Sequence, residues 1–186
     1  MMKTGCNVAL ATVLVVACAA ASATAGEPGR EFEGTAVVRM ATDTRRMPIT
    51  LVANRFTSVD EAQRLAGVLA DGGQGALLST LTGRADGKLR LGALELPVAL
   101  VVAEAKGRGY RYLFLTPRRI RVEENTFGEE SLDYPFGIAV FEVDGFGRGS
   151  GSVHVAAALA IDAAGHIEIE DFDGADGTLE DLRTLR

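Results

Sequence analysis

One stretch of the chain carries the residue types of nucleophilic catalysis. Ser150, Ser152 and His154 alternate along a predicted strand and therefore share one face of it. A hydroxyl nucleophile needs a hydrogen bond to a histidine, a third group that orients the histidine, and an oxyanion hole. Neighbours two apart on a strand are separated by about 7 Å, too far for a direct bond, and the chain has no G-x-S-x-G motif. We therefore predict no catalytic residue and no enzymatic activity.

Metal binding is the second chemistry that the residue types allow. His154 and His166 are the only histidines, and a zinc site would need both of them with Glu168 or Glu170 as a further ligand. Lone histidines on surface strands are more often solvated polar residues. We therefore predict no metal ligand at these positions.

The acidic stretch near the C-terminus resembles a calcium-binding loop in composition. Asp171, Asp173 and Asp176 would supply carboxylates. A loop counted from Asp171, however, has Ala175 at its fifth position and Asp176 where glycine is required. The alternative is an acidic, solvated strand end. We adopt this alternative and predict neither a metal nor a cofactor.

The segment 145–151 is rich in glycine, as phosphate-binding loops are. Such a loop stands between a strand and a helix whose first amides face the anion. Strand-forming residues follow this segment instead, and it lacks the closing Lys-Ser/Thr pair. The pattern therefore predicts a hairpin turn.

Two apolar faces indicate either a core or a ligand cavity. They consist of alternate residues on two predicted strands: Tyr110, Tyr112 and Phe114 on the first, and Tyr134, Phe136, Ile138 and Val140 on the second. Such faces fill an ordinary core or line an apolar cavity in a curved sheet. We predict a non-enzymatic protein that binds a small apolar ligand in a cavity beneath these faces. A structural or interaction protein of the cell envelope is one alternative, and a metal-assisted hydrolase is another.

Composition excludes several other classes of protein. The 186 residues include 19 Lys and Arg against 25 Asp and Glu, which gives a formal net charge of −6. Without a basic block, the chain is a poor candidate for nucleic-acid binding. An apolar content of 47% is typical of a folded chain, and two cysteines are too few for a disulfide scaffold or a four-cysteine zinc site.

The first 25 residues have the layout of an export signal. Lys3 precedes an apolar stretch from Val8 to Ala21, and two A-x-A sites follow, the second ending at Ala25. We predict a signal peptide at 1–25, a single domain at 26–186, and a periplasmic or extracellular location. A second interpretation is that residues 15–18 form a lipobox, which would attach lipid to Cys18 and anchor the protein to a membrane.

A pair of helices is predicted near the N-terminal end of the domain. Ser58 and Glu61 form a capping box, and apolar residues recur at 62, 65, 66 and 69, which gives one apolar stripe. The residues 71–73 end this helix. A second, short helix is predicted over 74–82 and stops at Gly83.

The rest of the chain alternates polar and apolar residues between short turns, as strands do. Strands are predicted at 31–40, 49–54, 88–93, 98–104, 110–115, 134–143, 153–161 and 166–172. Strands joined by short turns pair antiparallel. The predicted fold class is α+β: a mainly antiparallel, meander-like sheet of about six to eight strands with one inserted helix pair.

Several different short motifs lie between about residues 47 and 172. They are residues 48–51 with Arg55, 72–74 with 76–78, 116–120, 134–137, the glycines at 147, 149 and 151, and 167–170. In this combination the chain resembles an uncharacterised family of small exported bacterial proteins. It departs from the family at Pro117 and Arg119, because the family usually has Asp and then Pro around the arginine. The family has no known activity, so the resemblance implies export and a similar architecture only.

Overall fold

The computed structural model describes residues 12–14, 29–39, 43–121, 133–161, 167–171 and 176–185. These residues form one helix, α1 (Val59–Leu81), and eleven strands. The strands are β1 Thr12–Leu14, β2 Arg30–Arg39, β3 Thr44–Ala53, β4 Gly87–Leu91, β5 Leu94–Val98, β6 Leu100–Lys106, β7 Gly109–Thr116, β8 Phe136–Val143, β9 Arg148–Ile161, β10 Ile167–Asp171 and β11 Asp176–Thr184.

The strands form one antiparallel sheet that curls into a nearly closed barrel. Its order is β5-β4-β3-β2-β11-β9-β8-β7-β6, and β10 pairs with the end of β9. The outermost strands of this order, β5 and β6, are separated in the chain by Ala99 alone. The Ala99 amide donates to the Leu115 carbonyl of β7 at 2.8 Å, so the chain passes directly from one edge of the sheet to the other.

The prediction of a mainly antiparallel α+β fold is confirmed, but the strand count was wrong. Among the described residues, ten strands besides the short β1 build the sheet, and β5 and β11 are the two that were not predicted. β11 was missed because its apolar residues do not alternate. Leu179 and Leu182 are three residues apart, yet both face the interior. A bulge around Asp181, whose φ is 54°, inserts the extra residue that makes this possible. Since β11 lies between β2 and β9, the sheet is not a simple meander.

The interior of the barrel is filled by contacting aromatic rings. Phe32, Tyr112, Phe114 and Phe141 are each at most 1% exposed. Phe32 contacts the other three rings at centroid distances of 4.8 to 6.2 Å. Aliphatic side chains from strands β2 to β6, β8, β9 and β11 surround these rings. This cluster is the main core of the domain, because fully buried aromatic rings contribute the largest apolar areas.

The segment after β7 closes one end of the barrel. The Ile120 side chain is fully buried in the interior cluster, and its amide donates to the Val155 carbonyl at 2.9 Å. The β8–β9 register shifts at this level, between the pairs formed by Phe136 and Ile138. This bulge also exchanges the two faces of β9, so Val153 and Val155 face the interior whereas Ala157 and Leu159 face outward.

The predicted helix pair is a single helix in the structure. The capping box at its start is present, since the Ser58 hydroxyl accepts from the Glu61 amide at 3.3 Å. α1 then continues to Leu81, with one kink at Gly73, where φ is 67° and ψ is −165°. Residues 71–73 predict the end of a helix, but in the structure one non-helical residue changes the direction of the axis without ending the helix.

Substitution by alanine is expected to have opposite effects on stability at two glycines of α1. The backbone angles of Gly73 lie in a region that is essentially restricted to glycine. Gly67 has helical angles, and a methyl group there meets no atom within 4 Å. We expect Gly73→Ala to lower the free energy of unfolding by about 1–3 kcal/mol, and Gly67→Ala to raise it by about 1 kcal/mol. Urea unfolding followed by circular dichroism measures both, and equal effects would contradict a kink that requires glycine.

Most of the predicted signal peptide lies outside the described residues. Its three described residues, Thr12–Leu14, pair antiparallel with β10. Cys18 and the alternative lipidation site lie outside the described residues, as do His166 and Asp173.

Candidate functional site

An apolar crevice lies between α1 and the outer face of the sheet. Its volume is about 60 Å³. The side chains that line it are all aliphatic: Ala62, Leu65, Ala66, Leu69, Leu77, Leu81, Leu100, Val102, Leu113, Leu115, Leu159 and Ile167. The crevice therefore offers dispersion contacts and no hydrogen-bonding side chain, which suits an alkyl group.

The spacing of residues along α1 explains why this opening exists. Leu65 and Leu69, one turn apart, pack on the sheet before the kink at Gly73, as Leu77 and Leu81 do after it. Ala62 and Ala66 occupy the same face between the leucine contacts. Their small side chains leave the gap between helix and sheet.

Gln74 attaches the second half of α1 to the sheet. Its side-chain amide donates to the Leu159 carbonyl, and its side-chain oxygen accepts from the Leu159 amide at 3.2 Å. At this level β9 has β10 on one side, whereas β8 begins only at Phe136, opposite Ala157. Gln74 therefore satisfies a strand edge that would otherwise be unpaired, and it holds the helix at a set distance from the crevice floor.

Four charged side chains hold the start of α1 against the sheet. The Arg55 guanidinium lies 2.8 Å from both Glu61 and Asp86. Arg84 completes the ring, at 2.8 Å from Glu61 and 2.6 Å from Asp86. All four charges have a partner of opposite sign, so the cluster is structural and leaves no free group for chemistry.

The cluster perturbs the ionisation of Glu61. The hydrogen bond from Arg55 holds the pKa of Glu61 below its usual value of 4.5, and burial opposes this effect only in part. A carboxylate with a lowered pKa stabilises the folded state above its unfolded pKa. This contribution is present above about pH 4.5 and is lost as the pH falls through the lowered pKa of the folded protein.

The two aromatic faces expected to enclose a cavity lie on opposite sides of the sheet. Tyr112 belongs to the interior cluster, whereas Phe136 packs outside the barrel with the leucines of α1. In the β7–β8 pairing, Tyr112 stands opposite Phe141, so the interior face of β8 consists of odd-numbered residues. The cavity predicted beneath the two faces together was therefore wrong in its placement. The apolar opening lies beneath the helix instead.

Ser152, His154 and Asp171 form a chain of contacts on the outer face of the barrel. The Ser152 hydroxyl lies 2.8 Å from Nε2 of His154. On the other side of the ring, Nδ1 of His154 lies 2.6 Å from Oδ1 of Asp171. The expectation that Ser152 and His154 are too far apart was wrong, because strand side chains lean along the strand and shorten the backbone spacing. Sequence reasoning missed Asp171 as the third member, since the pairing of β9 with β10 brings it there.

The glycine-rich segment forms the predicted hairpin turn between β8 and β9. Asp144 accepts from the amides of Phe146 and Arg148 at 2.8 and 2.9 Å. The pKa of Asp144 is lowered, chiefly by the hydrogen bond from the Arg148 amide. Gly147 adopts a φ of 78°, which glycine accepts without strain. The amides of Phe146, Gly147 and Arg148 thus donate to Asp144 within the turn.

The other candidate ligands are not brought together in the part of the chain that the structure describes. No group of three or more His, Cys, Asp or Glu side chains there could hold a metal ion. The Asp171 carboxylate contacts His154 rather than another carboxylate. No helix among these residues has the length and apolar character needed to span a membrane.

Comparison with known proteins identifies no relative of this chain. No family model, no curated protein and no solved structure matches the chain.

Proposed function

We propose that the protein binds a small apolar molecule in the crevice between α1 and the sheet. The observation that supports this is the lining, which consists of aliphatic side chains from both the helix and the sheet. Binding sites for small molecules are concave and mostly apolar, and apolar contact in such a site provides most of the affinity.

The size of the crevice favours a linear alkyl chain as the ligand. Its volume is about 60 Å³, smaller than a cavity of about 150 Å³ that admits a benzene ring. An alkyl tail is thinner than a ring and would lie between α1 and the sheet, with its polar head in water at the crevice mouth. Each buried methylene contributes about 0.8 kcal/mol, so a tail of several methylenes is needed for measurable affinity.

The binding test uses octyl glucoside below its micellar concentration as a neutral probe. In the wild-type protein we expect saturable shifts of the leucine methyl resonances that border the crevice, including Leu65 and Leu77. Ala66→Leu fills the gap and is expected to abolish the shifts. Ala70→Leu places the same side chain on the exposed face of α1 and is expected to bind as the wild type does.

Two outcomes of this titration would contradict the proposal. The first is the absence of saturable methyl shifts in the folded wild-type protein. The second is equal binding by the Ala66→Leu variant, because that variant leaves no room for a tail. Melting temperatures of all three proteins without ligand establish that each is folded.

We also propose that the protein acts after export, in the periplasm or outside the cell. The layout of residues 1–25 supports this, with an apolar stretch that ends in small residues before Gly26. The mass of the mature N-terminus distinguishes cleavage after Ala25 from lipidation of Cys18. The alternatives of an envelope interaction protein and a metal-assisted hydrolase stay predictions.

A further inference from the structure

Beyond ligand binding, we propose that Ser152 is a nucleophile activated by His154 and Asp171, which would hydrolyse small activated carboxylic esters. The contacts follow the order of a catalytic triad. The hydroxyl lies at 2.8 Å from one ring nitrogen of His154, and a carboxylate oxygen lies at 2.6 Å from the other. This proposal differs from the expectation of a non-enzymatic protein, and it concerns a site separate from the crevice.

The burial of the three side chains suits these roles. The His154 side chain is 6% exposed and that of Asp171 is 25% exposed, while Ser152 is half-buried at the outer face. The histidine is thus held away from water with a carboxylate beside it, whereas Ser152 and Asp171 are both partly exposed. A histidine in contact with a serine hydroxyl on one side and a carboxylate on the other is the arrangement from which a serine can be activated.

The contact between His154 and Asp171 is an ion-pair contact without hydrogen-bond geometry. Neither Nδ1 of His154 nor Oδ1 of Asp171 makes a hydrogen bond of good geometry with a described group, although the two atoms are in ion-pair contact with each other. The Nδ1–H bond of His154 is therefore not aimed at the carboxylate oxygen, and Asp171 acts on the ring through its charge at 2.6 Å. A carboxylate at this position favours the imidazolium that forms when His154 accepts the serine proton.

Thr178 supplies a hydroxyl donor on the same face as the serine. In the β9–β11 register Thr178 stands directly opposite Ser152, and it is exposed. Side chains directly opposite each other on one face have Cβ atoms about 4.5–5.5 Å apart. The Thr178 hydroxyl is therefore within reach of the carbonyl oxygen of an ester bound at Ser152, where negative charge develops.

The reaction proceeds in two steps. The Ser152 oxygen attacks the ester carbonyl carbon and its proton moves to Nε2 of His154. The bond to the leaving alkoxide then breaks, and the alkoxide takes that proton to leave as an alcohol. In the second step water attacks the acyl-serine and gives its proton to His154. The bond to Ser152 breaks, the serine oxygen takes the proton back, and a carboxylic acid is released.

The open face of the sheet limits the substrate class. The site has a nucleophile, a base and one exposed hydroxyl donor. A poor leaving group would need a more complete oxyanion hole, so the proposal is confined to small esters with a good leaving group.

Diisopropyl fluorophosphate tests the nucleophile directly. Activated serine attacks phosphorus, the P–F bond breaks, and fluoride leaves with the serine proton. We expect one adduct by intact mass, mapped by peptide sequencing to Ser152. Ser152→Ala is expected to form none. Ser150→Ala is the matched control, because Ser150 lies on the same strand at an exposed position, and it is expected to react as the wild type does.

Asp171→Asn tests the positioning role of the carboxylate. We expect the labelling rate to fall by about 100-fold or more, and kcat for p-nitrophenyl acetate to fall with KM unchanged. A structural role alone would change the melting temperature and leave these rates intact. The absence of an adduct in the wild type, or an adduct that persists in Ser152→Ala, overturns the proposal. An unchanged labelling rate in folded Asp171→Asn overturns the role of Asp171. None of these outcomes bears on alkyl binding at the crevice.

Discussion

Phe141→Ala is expected to lower the free energy of unfolding by about 3–5 kcal/mol. The Phe141 side chain is 1% exposed. Its ring contacts Phe32, Tyr112 and Phe114 at centroid distances of 4.9, 5.3 and 5.7 Å. Truncation removes all three ring contacts and leaves a cavity that strands on every side are too constrained to fill. Denaturant unfolding at equilibrium measures the loss.

Phe146→Ala is the matched control for this substitution. Phe146 lies in the turn that follows β8 and is 88% exposed, so its truncation is expected to change the unfolding free energy by about 0.5 kcal/mol or less. Similar losses in the two variants would show that the rings around Phe141 are not the centre of the core.

Asp86→Ala is expected to cost about 3 kcal/mol of stability. Asp86 is 7% exposed, and its carboxylate pairs with Arg55 and Arg84. Its removal leaves Arg84, whose side chain is 19% exposed, with Glu61 as its remaining partner. A largely buried charge that loses a partner keeps its desolvation penalty without full compensation. The loss is measured by urea unfolding at equilibrium.

Glu95→Ala provides an exposed counterpart with the same number of cationic partners. Glu95 pairs with Lys88 at 3.1 Å and Arg90 at 3.0 Å, and its side chain is 43% exposed. Exposed pairs contribute about 0–1 kcal/mol, so this variant is expected to remain close to the wild type. If Glu95→Ala cost as much as Asp86→Ala, burial would not be the cause of the larger effect.

Local structure followed closely from the residues themselves. The capping box at Ser58 starts α1 as predicted, and the glycine-rich segment after β8 forms the predicted turn. Both features depend on backbone preferences and hydrogen bonds within a few residues. Alternating residues likewise identified most of the strands, since a strand with one buried face shows a period of two.

Features that depend on bulges could not be predicted in this way. The bulge in β9 moves Ala157 and Leu159 to the helix side, although they have the same parity as the interior residue Val155. The bulge near Asp181 hides β11 from any search for alternation. A bulge adds one residue to one strand only, so its position depends on the partner strand and not on local sequence.

The sequence by itself determined the start of α1, most of the strands, the antiparallel pairing of chain neighbours and the acidic charge balance of the chain. Tertiary structure alone decided that the barrel interior is filled, that the apolar opening lies under α1, and that Asp171 meets His154. The physical reason is that these features join residues far apart in the chain. Their contacts follow from the register in which strands close the sheet and from the side-chain rotamers that packing allows.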